Sequence, residues 1–179
     1  MTAPPVPVLV LPGYGDSGPG HWQSRWEASA PAWRRVQQRD WFEPRLDDWL
    51  QELDRALGAC ATPPVLVAHS LGCHAIAHHA ARHTRAVHGA LLVAPPNVDD
   101  PDFPPVIKGF RPIPRAPLPF PSIVVSGSDD WYVTPDDARE LARAWGSRFV
   151  LLERGGHINA AAGFGPWPEG ERLLAELTA

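Results

Sequence analysis

Lysine is almost missing from this chain: Lys108 stands alone, and every other basic residue is an arginine. With 16 basic against 20 acidic residues the net charge is −4, which offers no electrostatic footprint for a nucleic-acid backbone. Cysteine is scarce as well. Cys60 and Cys73 cannot build a disulfide framework, and Cys73 reads as a small core residue. No apolar run approaches the length that crosses a bilayer. The first ten residues carry neither the basic stretch nor the long apolar segment of a secretory leader. These absences lead us to expect a cytoplasmic protein with no membrane or nucleic-acid partner. The 179 residues, 44% hydrophobic and 20% charged, suffice for a single domain over 1–179 with a sizeable core, and not for two.

Proline, by contrast, is abundant. Many of the 22 prolines fall between Pro95 and Pro121, where they recur too often for a helix or an inner strand. That stretch is expected to be a long irregular excursion over the sheet edge, near the active centre. Around it, short apolar runs alternate with helical stripes. Strands are predicted at Val6–Leu11, Val36–Arg39, Val65–Ala68, Gly89–Ala94, Ser122–Ser126 and Phe149–Leu152. Helices are predicted from near Pro19, a residue suited to a first helical position, over Leu46–Leu57, from Leu71 to about His83, and over Pro135–Trp145 and Pro168–Leu177. Alternation of this kind implies an α/β fold: a mostly parallel sheet of about six strands between two helical layers. Function in such sheets gathers at the carboxyl ends of the strands.

One of those ends carries Ala68-His69-Ser70-Leu71-Gly72. A buried strand, a serine between small residues, then a helix is the setting of a nucleophile elbow. The turn is sharp, so the positions two before and two after the serine must be small, as Ala68 and Gly72 are. Past the fifth strand come Asp129 and Asp130, and past the sixth comes Gly155-Gly156-His157. Serine, aspartate, histidine in this chain order is the order of the α/β-hydrolase triad. A serine hydroxyl needs a neutral imidazole to take its proton, and the imidazole needs a carboxylate to hold its tautomer. One of the two aspartates can serve; the other suits a turn or a helix cap. An oxyanion needs donors already in place, expected from the backbone N–H groups of Leu71 and Tyr14.

Two other patterns point elsewhere and are set aside. Gly13-Tyr14-Gly15-Asp16-Ser17-Gly18, with Asp40 further on, matches a dinucleotide fingerprint, but Asp16 would face the pyrophosphate and Pro19 removes an N–H donor. The same glycines suit an oxyanion loop that approaches the substrate closely. On the helix after Ser70, His74 and His78, and again His79 and His83, are four apart. No glutamate completes a zinc motif, so these form half a site and are expected on polar and boundary faces. No cofactor and no metal are expected.

The residues resemble the small α/β-hydrolases of the retinoblastoma-binding-protein-nine / YdeN-like group of serine hydrolases. The likeness runs through Leu11-Pro12-Gly13, His21-Trp22-Gln23-Ser24-Arg25-Trp26, His69-Ser70-Leu71-Gly72, Leu118-Pro119-Phe120-Pro121, Asp130-Trp131-Tyr132-Val133, Gly156-His157-Ile158-Asn159 and Gly163 to Gly170. It implies a fold without a large cap domain, and Asp130 as the acid, since in that family the acid precedes a Pro-Tyr or Pro-Phe pair; here Trp131 takes the proline's position. The expected activity is hydrolysis of a small carboxylic ester, or an amide or thioester, through an acyl-enzyme on Ser70 with His157 as base and Asp130 orienting it. Trp131 and Phe164 are expected to wall the acyl pocket together with the proline-rich segment. The alternative is a protein-binding module that keeps the fold with little or no turnover.

Overall fold

A computed structural model describes residues 6–178. The readings of the first ten residues and of a domain spanning 1–179 fall in part outside them. Six strands form one wholly parallel sheet: β1 Val8–Leu11, β2 Arg34–Arg35, β3 Val65–His69, β4 Gly89–Val93, β5 Ser122–Gly127 and β6 Arg148–Leu152, in the order β2-β1-β3-β4-β5-β6. Five α-helices cover it: α1 Trp22–Ser29, α2 Leu46–Gly58, α3 Leu71–Arg82, α4 Pro135–Trp145 and α5 Pro168–Thr178.

Why the inner strands read as unbroken apolar runs is visible in the two cores. Leu9, Leu11, Leu66, Ala68, Leu92 and Val124 point to the face packed by α2, α3 and α4. Their alternates Val8, Val65, Val67, Leu91, Val93 and Ile123 point to the face packed by α1 and α5. A parallel strand buried on both sides has no polar face to show. Order β1-β3-β4 reverses direction beside β1, and that crevice is where the carboxyl ends of β1 and β3 diverge.

Most strands differ from the sequence reading by one or two residues at an end, and two boundary differences have a structural cause. The second strand is Arg34–Arg35 and not Val36–Arg39: Leu9 pairs with Arg34 and Val10 with Arg35, and Val36 N–H only closes the ladder on Val10 O at 2.9 Å. Arg35 is held in register by its guanidinium, which bonds Asp16 (2.8 Å), Ser24 Oγ (2.7 Å) and Glu27. The first helix starts at Trp22 and not near Pro19, because His21 is its cap, accepting from Gln23 N–H through Nδ1 at 3.2 Å.

The histidines of α3 also differ. His74, His78 and His79 are buried, not on polar or boundary faces. The expected excursion lies over them: among residues 94–121 no helix or ladder strand occurs, so its carbonyls lack regular partners, and buried carbonyls need donors. His74 Nε2–H supplies Pro96 O (2.7 Å) and His78 Nε2–H supplies Phe110 O (3.0 Å). Trp145 Nε1–H adds a third anchor at Pro114 O (2.8 Å).

Burial lowers the His74 pKa to about 4, and its Nδ1 has no partner among the described residues. The unfolded chain therefore takes up a proton near pH 6.5 that the folded chain refuses until near pH 4. Stability present above pH 6.5 is lost as the pH falls through that window, by up to about 3 kcal/mol for this one group. Urea denaturation at pH 7 and pH 4.5 is expected to show the loss, and His74→Gln, whose amide donates without titrating, to show less of it.

Candidate active site

The chain leaves β3 at His69 and enters α3 at Leu71 through Ser70, whose φ is 53°. A β-carbon is strained there, and the turn is held by its surroundings. Ser70 N–H donates to Val93 O at 2.8 Å. A methyl group on Gly72 would stand 2.4 Å from Leu11 O, and one on Gly13 would stand 2.7 Å from Ser70 Cβ. The elbow, the end of β1 and the end of β4 are thus packed backbone on backbone, with room for hydrogen alone at two positions.

On the other side of the crevice, Gly127 at the end of β5 touches the loop after β6 so closely that a β-carbon would lie 2.1 Å from Gly156 O. Asp129 Oδ1 accepts from Gly156 N–H at 2.7 Å, and Trp22 Nε1–H donates to Ile158 O at 2.8 Å. Between those two clamps stands His157. Its Nε2 is 2.9 Å from Ser70 Oγ, and its Nδ1 is 2.8 and 3.1 Å from the two oxygens of Asp130. The Asp130 side chain is fully buried and also accepts from Tyr132 N–H at 2.9 Å. The two aspartates, left open by motif alone, have different partners: Asp130 meets the imidazole and Asp129 meets the loop that carries it.

His69 completes the ring of contacts. Its Nε2–H donates to His157 O at 2.8 Å, which puts the lone pair on Nδ1. Rings of His21, His69 and His157 follow one another edge to face at 4.7 and 4.9 Å. Burial drives the His69 pKa well below its ordinary value and that of His21 to about 4, so both are neutral where a hydrolase would work. In the sequence both stand in segments that carry the family resemblance, but nothing in their spacing displays this role. Gln23, fully buried, has a role that its place in the same segment as His21 does not display either. Its amide donates to Leu11 O (3.2 Å) and Val67 O (3.0 Å) and accepts from Ser17 Oγ (2.7 Å).

Ser70 opens on a cavity of about 440 Å³. One wall is apolar and comes from the irregular segment: Pro96, Phe103, Pro104 and Ile107. The opposite wall is the glycine loop with Tyr14 and Asp16, and Tyr132 and Asn159 lie at the side. Tyr14 N–H and Leu71 N–H are engaged by no other group among the described residues. Asp16 is paired with Arg35 and Asp40 Oδ1 closes a turn on Phe42 and Glu43 N–H, so neither is poised for a dinucleotide. The expected pocket residues Trp131 and Phe164 are corrected. Trp131 is 94% exposed, because Asp130 turns inward to the imidazole and sends the next residue out. Phe164 packs edge-on against Trp167 at 5.8 Å, drawn to the α1–α5 face. Tyr132, with its ring 4.7 Å from that of His157, takes the nearer position.

A six-stranded parallel sheet with helices on both faces and an elbow serine at its carboxyl edge is the architecture of an α/β-hydrolase. Residues 8–176 match the serine hydrolase family, and the chain belongs to it. A YdeN-like hydrolase from Pectobacterium atrosepticum is 34% identical, with a TM-score of 0.86 over 97% of this chain and 91% of that one. The ydeN gene product from B. subtilis, at 22% identity, gives 0.78 over 96% and 98%. A thermophilic esterase from Thermogutta terrifontis, at 16%, shares the fold with 0.68 over 97% and 91%. A comparison with curated proteins finds no match.

The two aspartates can be separated by experiment. Asp130→Asn is expected to lower kcat for an activated ester by about 10³–10⁴-fold, as loss of the orienting carboxylate does in such triads. Asp129→Asn, which weakens only the loop clamp, is expected to cost less than about tenfold.

Proposed function

We propose that the protein is a cytoplasmic hydrolase of small carboxylic esters, with amides and thioesters as less favoured relatives, working through an acyl-enzyme on Ser70. The observation that carries this reading is the continuous line from Ser70 Oγ through His157 to the buried Asp130 carboxylate, at 2.9 and 2.8 Å, beside a cavity of ligand size. His157 Nε2 takes the Ser70 proton as the oxygen attacks the acyl carbon, and returns it to the leaving alcohol. Water then repeats the sequence on the acyl-enzyme. Asp130 keeps the ring proton on Nδ1 and stabilises the imidazolium as it forms.

The free N–H groups of Tyr14 and Leu71 flank Ser70 and support an oxyanion site, where one such donor is worth about 2.7–4 kcal/mol of barrier. Leu71 N–H also lies at the first turn of α3, whose dipole favours negative charge there. Both cysteines are free thiols, in keeping with a reducing compartment, and among the described residues no helix is long and apolar enough to cross a membrane. The apolar wall of Pro96, Phe103, Pro104 and Ile107 suits the acyl group, and its limited extent favours a short one.

A fluorophosphonate probe is expected to label the wild type and not Ser70→Ala. Absence of labelling in the folded wild type would favour a binding module on the same fold. In a chain-length series of p-nitrophenyl esters, kcat/KM is expected to fall at least tenfold from short acyl groups to dodecanoyl. A flat series would contradict the assignment of the apolar wall to the acyl group.

A further inference from the structure

At the opposite end of α3 from Ser70, the half-site of two histidines gains a third donor from another helix. Asp54 of α2 lies against His79 and His83, and one ligand atom from each falls within 4.8 Å of the others. His79 Nε2 is 3.2 Å from Asp54 Oδ1, and the two imidazoles are stacked at 4.5 Å with 20° between their planes. His79 lies in the last turn of α3 and His83 is the residue that closes it; the stacking of the two rings brings both to the side that meets Asp54 of α2. We propose that Asp54, His79 and His83 form a binding site for a divalent transition metal, with zinc as the type ion, that ties α2 to α3.

The donor chemistry fits. Two imidazole nitrogens and one carboxylate oxygen are a common zinc set, leaving a fourth tetrahedral position for water, and such N/O sites also take nickel and copper. Bond lengths of about 2.0–2.2 Å put tetrahedral ligands roughly 3.3 Å apart, so the three atoms need close by no more than about 1.5 Å. His83 is exposed and can rotate to do so. Its neighbourhood is an open cleft shared with Asp48, Gln51 and Arg82, which gives an ion a way in.

The same position already holds a positive charge. Arg85 donates to Asp54 through Nε at 2.5 Å and Nη2 at 2.9 Å. The guanidinium therefore competes with the ion. Its side chain is 46% exposed and can swing into water when the ion enters. His79 then ligates through Nε2 with its ring proton on Nδ1, so no proton is lost from the neutral ring. Competition makes a prediction that adventitious surface binding does not: removing Arg85 tightens the site.

The site is roughly 20 Å along α3 from Ser70 by helix rise, so the inference is independent of the proposed ester chemistry. Isothermal titration with zinc chloride in chelator-free buffer tests it, read alongside thermal unfolding. Wild type is expected to bind zinc with a rise in Tm, because a ligand of the folded state stabilises it. His83→Ala is expected to weaken binding at least tenfold, and Arg85→Gln to tighten it about threefold or more. Cobalt in place of zinc is expected to give a visible absorption band in wild type that His83→Ala loses. Zinc affinity unchanged in His83→Ala, no tightening in Arg85→Gln, or no rise in wild-type Tm would each overturn the site.

Discussion

The active edge depends on a contact in which there is no room for a side chain. Gly72 meets the carbonyls of Leu11 and Pro12, and Gly13 meets the Ser70 β-carbon, at distances only hydrogen can occupy. This contact presses the end of β1 against the elbow and holds Ser70 at a positive φ that it would not otherwise keep. The Ser70 N–H to Val93 O bond adds β4 to the same junction. Three neighbouring strands therefore share in setting the height of one hydroxyl. The register of the sheet, and not the flexibility of a loop, decides where that oxygen stands.

The imidazole reaches the hydroxyl from the far side by an equivalent device. Gly127 and Gly156 approach backbone to backbone, and Asp129, Trp22 and His69 each hold a backbone group of residues 156–158. His69 joins the two halves, since it precedes the elbow serine and donates to the carbonyl of His157. Its burial keeps it neutral, so it supplies a donor without adding a charge beside the imidazole. His74 and His78 do the same for the irregular segment, giving ring N–H groups to carbonyls that no ladder serves. Imidazole is well suited to this use: it fills a core like an aromatic ring and still carries one strong donor.

Much of this was legible from the sequence, for a physical reason. Inner parallel strands are buried on both faces, so β3, β4 and β5 appear as short apolar runs whose ends can be read within a residue. Ser70, Asp130 and His157 follow such ends, which is why one sheet edge brings them within hydrogen-bond reach of one another. Arg34–Arg35 has no apolar signature, because an edge strand's place is set by pairing with β1 and by a guanidinium network that sequence spacing does not display. His21 capping α1 was hidden behind the stronger signal of Pro19. The burial of His74 and His78 leaves no trace in the sequence, because the layer that covers them is an irregular segment whose carbonyls, which they serve, have no period. The choice between Asp129 and Asp130 rests on the family resemblance in the sequence; in the structure, Asp129 accepts from the loop N–H and Asp130 faces the imidazole. The expected places of Trp131 and Phe164 fail for local reasons: the turn that points Asp130 inward sends Trp131 into solvent, and Phe164 packs on Trp167.

Charge around the serine narrows the chemistry further. Asp16, the acidic group on the cavity wall, is neutralised by Arg35, and His21 and His69 are uncharged. Among the described residues that line the cavity, Asp16 is the one carboxylate and it is paired, so a neutral ligand meets less desolvation cost there than an ionic one. The machinery at the sheet edge is the part a fold repeats, and selectivity belongs to what is laid over it. Here that cover is one continuous stretch, residues 95–121, anchored by His74, His78 and Trp145 from beneath. Because those anchors grip its backbone and leave Phe103, Pro104 and Ile107 free to face the cavity, the side chains that shape the apolar wall can change without loosening the fold that holds the serine.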